Sequence, residues 1–201
     1  MVPVTGHFRA HFSICNENSM DVFHGFLHED LQGWFDPVLL QLRDEGNAIV
    51  ADYQVSYGGQ MAKLLGFTDR ADGVTTKTVT VQYRYPHYYS SLAGVSSLYL
   101  MRLPVGLQES RSFALFFLKL NLPGWLVNPW RSTITWVLQR WVFAQFLAQD
   151  IEMMESEQRA YTAQPDRSYT EINPAIIAVQ RLIVRQYQTF LGQHSQHSQH
   201  S

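Results

Sequence analysis

Two histidines and an aspartate are the residues whose types and spacing could bind a metal ion. In Asn18-Ser-Met-Asp21-Val-Phe-His24-Gly-Phe-Leu-His28, the histidines are four residues apart. If this segment is helical, both imidazoles project from one face, with Asp21 one turn earlier on the same stripe. Two such imidazoles can occupy adjacent positions around one cation, and Asp21 and Asn18 could fix their orientation. The alternative is that His24 and His28 are ordinary hydrogen-bonded histidines.

Asp150 is the carboxylate that could complete this site. Its helical neighbours at positions −7, −4, −3 and +4 are all apolar. Because an unpaired buried carboxylate costs several kcal/mol, Asp150 requires a cation, a metal ion or a proton. One alternative to a metal is a buried ion pair with Arg181 or Arg185.

Two histidines and one carboxylate can serve two kinds of chemistry. They form the facial triad with which non-haem Fe(II) enzymes bind oxygen beside substrate. The same set can hold a hydrolytic zinc ion, which also needs a general base. The HExxH motif is absent, and Glu29 and Asp30 are the candidate bases. Spacing alone does not choose between iron and zinc.

Composition limits what else the chain can be. Of its 201 residues, 46% are hydrophobic and 13% aromatic, which predicts one domain with a sizeable core. The 15 Lys and Arg nearly balance the 17 Asp and Glu, so a nucleic-acid-binding function is not expected. A single cysteine, Cys15, excludes an internal disulfide and a [2Fe-2S] cluster within this chain. With no secretory signal pattern at the start, we expect a cytoplasmic protein.

Alternating patterns predict the strands that must support the site. Four runs without intervening helices predict an antiparallel sheet. Gly58-Gly59 and Pro123-Gly124 are turn signals. The predicted strands are residues 49–55, 75–85, 96–103 and 112–120.

Helical periodicity flanks these strands. We predict helices over residues 18–42, with a break at Pro37, and over 132–162. Asn173-Pro174 predicts the start of a last helix that ends near Leu191. The folded domain is then 1–192, and the Gln-His-Ser repeats of 193–201 form a disordered tail.

The stretch 122–147 contains four of the five tryptophans. It could lie on a membrane surface, because tryptophan favours the bilayer interface. Arg131, Gln139 and Arg140 interrupt it, and no run is long enough to span a bilayer. Packing of these tryptophans into the core is the interpretation that we favour.

The histidine segment and the sequence Gln149-Asp150-Ile-Glu-Met-Met-Glu-Ser-Glu-Gln158 together resemble the catalytic domain of Rieske non-haem iron oxygenases. The likeness is strongest to the branch that contains pheophorbide a oxygenase, and it extends over residues 10–190. It implies an α+β, helix-grip fold of the Bet v 1/START type, in which an antiparallel sheet wraps a long C-terminal helix.

The resemblance also implies roles for individual residues. His24, His28 and Asp150 would bind mononuclear Fe(II), with Asn18 beside them. Asp21 would link a catalytic histidine to a cluster-binding histidine of a neighbouring subunit, which implies a ring such as a homotrimer. The substrates would be O2 and a hydrophobic, cyclic molecule in a pocket walled by aromatic side chains such as Phe146.

This chain departs from the family in two respects. Three residues separate the two histidines, where the family more often has four. The family's cluster domain is missing from the chain, so a [2Fe-2S] cluster could lie only in a separate domain or chain. Electrons would then come from a Rieske domain, ferredoxin or reductase partner.

The sequence therefore supports two main hypotheses. The first is an oxygenase catalytic domain that performs mono- or dioxygenation, including aromatic ring hydroxylation, with an external electron source. The second is a non-catalytic helix-grip module that binds an apolar ligand and keeps a vestigial metal triad. Zinc-dependent hydrolysis is a third reading.

Overall fold

A seven-stranded antiparallel sheet forms the frame of the fold in a computed structural model of the chain. The structure describes residues 1–28, 34–57, 74–119, 125, 128–166 and 170–197. The candidate bases Glu29 and Asp30 and the turn signals Gly58-Gly59 and Pro123-Gly124 lie outside the described residues. The strands are β1 (Val2–Phe8), β2 (Trp34–Asp44), β3 (Ile49–Tyr57), β4 (Thr75–Arg84), β5 (His87–Leu92), β6 (Ser96–Gly106) and β7 (Glu109–Leu118).

The order of strands across the sheet is β1-β7-β6-β5-β4-β3-β2, so β1 and β2 are its edges. The four predicted strands correspond to β3, β4, β6 and β7. Strand β5 lies between β4 and β6 in the sheet, although its polar sequence did not indicate a strand. The expected α+β class with an antiparallel sheet and a long C-terminal helix is confirmed.

The helix predicted over 18–42 is wrong in type and extent. The structure has helix α1 (Phe12–Met20), a 3-10 helix (Phe23–Leu27) and then β2. The closely spaced leucines of β2 mimic a helical period, but the strand carries two register shifts against β3 that alter its alternation. Pro37 is tolerated there because an edge strand has amides with no partner strand.

Helices dominate the described residues after Asn128, as predicted. A short 3-10 turn (Asn128–Trp130) leads into α2 (Arg131–Val137), a π-helical stretch (Leu138–Phe143) and α3 (Ala144–Ala163). Helix α4 (Pro174–His197) begins where Asn173 Oδ1 accepts a hydrogen bond from Ala175 N at 3.0 Å. Its end lies beyond the predicted Leu191 and inside the Gln-His-Ser repeat.

Two hydrophobic clusters hold the helices against the sheet. The larger combines Met20 of α1 with buried residues of β3 to β6 and with Ala175, Val179 and Leu182 of α4. The smaller joins Phe8, Ala10, Ile14 and Cys15 to Met154 of α3. Helix α1 therefore packs between α3 and α4, and both long helices are fixed relative to the segment that follows α1.

The tryptophans of the helical half are not in the core. Trp125, Trp130, Trp136 and Trp141 are 77%, 61%, 59% and 61% exposed, so the expectation of core packing is wrong. The physical reason is that α1, α3 and α4 already fill the two clusters, while the π-helical stretch contacts the edge strand β1. None of the described helices is long and apolar enough to span a lipid bilayer.

Candidate metal centre

The structure brings His24, His28 and Asp150 together. His24 lies in the 3-10 helix, His28 caps the C-terminal end of that helix, and Asp150 lies on α3. Asp150 Oδ1 is 3.3 Å from His28 Nε2 and 3.9 Å from His24 Nε2. One ligand atom from each of the three residues lies within 4.8 Å of the others. Bonds of roughly 2 Å to one ion hold ligand atoms about 3 to 4 Å apart, so small side-chain rotations complete the set.

The two histidines converge for a different reason from the one the sequence suggested. In a 3-10 helix, a spacing of four residues is more than one full turn, so the imidazoles do not stack along one face. Their rings instead meet edge to face, 5.3 Å apart at an angle of 69°. Asp150 approaches both rings from α3. The site therefore depends on a tertiary contact between α3 and the 3-10 helix.

The 3-10 helix is fixed at its beginning and in its middle. Asp21 Oδ1 accepts a hydrogen bond from Phe23 N at 3.0 Å, which starts the turn. A Cβ atom at Gly25 would lie 2.4 Å from Trp34 Nε1, so only glycine permits this close approach to β2. Trp34 Nε1 in turn donates to Val22 O at 3.3 Å.

His28 is held on two sides by residues of α3. Its Nδ1 donates to Gln149 Oε1 at 2.8 Å, and its ring stacks on Phe146 with centroids 4.0 Å apart. Because Nδ1 carries the proton, Nε2 has a free lone pair directed at Asp150. A ligating imidazole is commonly fixed by such a second hydrogen bond.

Unpartnered buried atoms at this point fit a bound metal ion. Among the described residues, His28 Nε2, Asp150 Oδ1 and His24 Nδ1 are buried and have no hydrogen-bond partner. Buried polar atoms are normally satisfied, and leaving one unpaired costs about 1 to 3 kcal/mol. A cation between the three side chains would satisfy the first two atoms.

The protonation of the histidines follows from their surroundings. Burial lowers the pKa of His24, although Asp150 and Asp21 oppose this. Burial also acts to lower the pKa of His28, but the neighbouring Asp150 carboxylate and the hydrogen bond with Gln149 outweigh it and raise the pKa. His24 is thus a neutral imidazole near pH 7, which is the form that binds metals.

Asp150 does not make the alternative ion pair. Arg185 instead binds Asp44 on the surface, with N–O distances of 2.9 and 3.1 Å. Arg181 forms no ion pair with any residue in the described ranges. Among the described residues, the ion-pair contacts of the Asp150 carboxylate are with the two imidazoles.

Asp21 and Asn18 lie beside the triad, on an open cleft of about 540 Å³ that reaches His24. The remaining lining is strongly acidic. Burial raises the pKa of Glu17 to about 7, and burial with repulsion from Glu171 and Asp21 raises that of Glu157. The cleft therefore favours a polar or cationic group.

Asp21 is also tied to the start of α4. Asn173 Nδ2 donates to Asp21 Oδ1 at 3.0 Å, and Tyr53 O–H donates to Asn173 Oδ1 at 3.2 Å. Sequence reasoning identified Asn173 as a helix cap but missed this link. It also missed the contact of Gln149 with His28, which joins residues 121 positions apart and has no signal in local spacing.

No protein-family model matches the chain. The chain is 27% identical over 193 residues to the 4β-methylsterol monooxygenase of Methylococcus capsulatus (strain ATCC 33009 / NCIMB 11132 / Bath), and the match covers 94% of this chain and 52% of that protein. This chain thus spans about half the length of that relative.

Solved structures of similar fold include two oxygenases. Dicamba monooxygenase bound to 3,6-dichlorosalicylic acid aligns with a TM-score of 0.65 and 16% identity over 94% of this chain and 60% of that one. The quaternary ammonium Rieske monooxygenase CntA with L-carnitine aligns with a TM-score of 0.59 and 15% identity over 93% and 48%. The fold of this chain is therefore that of the catalytic domain of Rieske oxygenases.

Proposed function

We propose that this chain is the catalytic part of a mononuclear non-haem Fe(II) monooxygenase. The observation that carries the proposal is the convergence of His24, His28 and Asp150, in which His28 Nε2 and Asp150 Oδ1 have no hydrogen-bond partner among the described residues. Two histidines with one carboxylate are the ligand set of non-haem Fe(II) oxygenases. The likeness of fold to Rieske monooxygenases favours iron over a hydrolytic zinc ion.

Side chains of this chain would bind the ion, fix its ligands and help to form the substrate pocket. His24, His28 and Asp150 would hold the ion, and Gln149 and Phe146 fix the ring of His28. Bound Fe(II) would supply the activation of O2 for insertion of an oxygen atom into a C–H bond. Phe143, which packs on Phe116 of β7 with ring centroids 4.6 Å apart, would help to wall an apolar substrate pocket.

We propose a hydrophobic, polycyclic substrate of the sterol class. The relative with 27% identity is a 4β-methylsterol monooxygenase, and the match extends over nearly all of this chain. An apolar molecule of this kind suits aromatic walls. The narrower assignment to the pheophorbide a oxygenase branch stays a prediction from the sequence.

Electrons would come from a Rieske [2Fe-2S] cluster outside this chain. Asp21 lines the open cleft that reaches His24, so a partner's side chain has a route to its carboxylate. In this proposal, Asp21 would accept a hydrogen bond from that partner, and Asn173 would keep the carboxylate oriented. We propose a homotrimer, in which each subunit supplies electrons to the metal centre of its neighbour.

Anaerobic titration of the purified chain with Fe(II) tests the proposal. We expect about one ion per chain, lost in His24→Ala and in Asp150→Ala but retained in His87→Ala, a matched change of an exposed histidine on β5. Oxygen-dependent hydroxylation with an added Rieske electron donor is expected only with iron. An apolar ligand bound without any metal uptake would contradict the proposal and indicate a binding module. Hydrolysis with zinc and without O2 would contradict it as well.

A further inference from the structure

Four exposed tryptophans lie within 17 consecutive residues, in the helical region whose π-helical stretch contacts the edge strand β1. Trp125, Trp130, Trp136 and Trp141 are each between 59% and 77% exposed. We call these side chains, with Arg131 and Arg140, the tryptophan surface. Tryptophan is strongly buried on average in folded proteins. Four large apolar side chains exposed in one short segment therefore indicate a partner.

The π-helical stretch helps to gather this surface. A π-helix bonds each amide to the carbonyl five residues earlier, so residues about five apart lie one turn apart on the same side. Leu138–Phe143 is π-helical and contains Trp141, which lies five residues after Trp136 of α2. Arg140 is also exposed, whereas Gln139 turns inward, and its Nε2 donates to Pro3 O at 2.7 Å. Gln139 of the stretch thus anchors to β1, while Arg140 and Trp141 expose a guanidinium and an indole ring.

The charged side chains in and around the tryptophan surface are all positive. Residues 110–149 contain four Lys or Arg and no Asp or Glu, although the chain as a whole carries a net charge of −2. Arg131 and Arg140 are exposed and form no ion pair with the described part of the chain. Exposed arginines without acidic neighbours are available to phosphate groups.

We propose that the tryptophan surface binds the surface of an anionic lipid bilayer. Tryptophan favours the level of the lipid head groups, where its ring is buried and its N–H reaches polar atoms. Arginines beside it add attraction to anionic lipids. A two-fold contact with a second copy suits the surface less well, because it would bring the arginines of both copies together.

The binding surface continues into the helix that carries the metal site. Trp141 and Asp150 are nine residues apart in one uninterrupted helical run, which corresponds to roughly 13 Å along the axis. A protein held by Trp141 at a bilayer thus keeps Asp150 close to the membrane. The bilayer contact does not depend on metal binding and is testable without it.

Vesicle binding by the whole chain tests this inference directly. The probes are vesicles of phosphatidylcholine and vesicles of phosphatidylcholine with phosphatidylglycerol, read by co-sedimentation and by tryptophan emission. Because four of the five tryptophans belong to the surface, we expect a blue shift with the anionic vesicles and weaker binding to the neutral ones. Trp136→Ala with Trp141→Ala is expected to weaken binding by about tenfold or more, since two large apolar side chains are lost. Arg131→Glu with Arg140→Glu is expected to do the same through charge.

The control is Phe35→Ala with Tyr187→Ala, which removes exposed aromatic side chains from β2 and α4, and it is expected to leave binding unchanged. Circular dichroism checks that all variants are folded. Absence of binding to anionic vesicles would overturn the inference. Self-association that the tryptophan variants abolish, without vesicle binding, would also overturn it and indicate a protein contact.

Discussion

The Nε2 atom of His28 can act as a ligand because another side chain holds Nδ1. Gln149 Oε1 accepts from that nitrogen, while Phe146 stacks on the ring. The ring therefore has one tautomer and one orientation before any metal binds. At the scale of single residues, this preorganisation is the property to test.

Gln149→Leu is expected to lower metal affinity about 10- to 100-fold, because the second hydrogen bond of a ligating imidazole is lost. The measurement is competitive titration with Co(II) as a spectroscopic probe. Gln145→Leu, a change at an exposed position of α3, is the matched control and should leave affinity unchanged. Equal affinity in the two variants would show that Gln149 does not position His28.

Glu17→Gln is expected to stabilise the protein at pH 8 by about 1 to 3 kcal/mol and to have little effect at pH 4. Burial raises the pKa of Glu17 from 4.5 to about 7, partly opposed by a hydrogen bond with Gln180. Below pH 4.5 this group is neutral in both the folded and the unfolded state. As the pH rises towards 7, the unfolded state ionises first, so stability falls, and glutamine removes that loss.

Urea unfolding at the two pH values measures this difference. Glu152→Gln is the control, because Glu152 forms an exposed ion pair with Arg159 and such pairs contribute about 0 to 1 kcal/mol. A gain from Glu17→Gln that is the same at both pH values would contradict the assignment to ionisation.

At the scale of elements, the start of α4 is joined to the site through one side chain. Asn173 accepts from Ala175 N and from Tyr53 O–H, and it donates to Asp21. One amide thus caps a helix, satisfies a buried tyrosine of β3 and orients a carboxylate beside the triad. The element and the site depend on the same three hydrogen bonds.

Asn173→Ala is expected to lower the free energy of unfolding by about 1 to 3 kcal/mol, because the cap is lost and Tyr53 O–H loses its acceptor. Urea unfolding measures the effect. Ile172→Ala, at a neighbouring residue that is 87% exposed, should change stability little. A loss below about 0.5 kcal/mol in Asn173→Ala would show that water replaces the network.

At the scale of the whole molecule, α4 is the helix that the sheet grips. Its inward residues share one cluster with α1 and with strands from the middle of the sheet. Contacts between segments so distant in sequence make the fold one unit, in which damage to α4 reaches the metal site through α1 and Asn173.

Val179→Ala is expected to destabilise the protein by about 1 to 3 kcal/mol, because Val179 is fully buried and the lost methyl groups leave a cavity. The same substitution at Val184, which is 53% exposed on the same helix, is the matched control and should cost less than about 0.5 kcal/mol. Thermal unfolding compares the two. Equal effects would mean that the inward face of α4 does not support the core.

Much of the fold followed from local pattern. Alternation over β3, β4, β6 and β7 predicted an antiparallel sheet, and the Asn173-Pro174 pair predicted the start of α4. Strand β2 could not be found in this way, because its leucines fit a helical period and its register shifts break the strand alternation. Local spacing cannot separate these two cases without knowledge of the partner strand.

By itself, the sequence determined which residue types could bind a metal and that they stood in two distant segments. The type of helix that holds His24 and His28, the role of Gln149 and, among the described residues, the lack of an arginine paired with Asp150 were decided only by the tertiary structure. The tertiary structure also decided that the tryptophans are exposed, since composition does not tell which apolar residues pack into a core that other helices fill. The physical reason is that side-chain type and spacing act locally, whereas convergence and burial depend on contacts between residues more than a hundred positions apart.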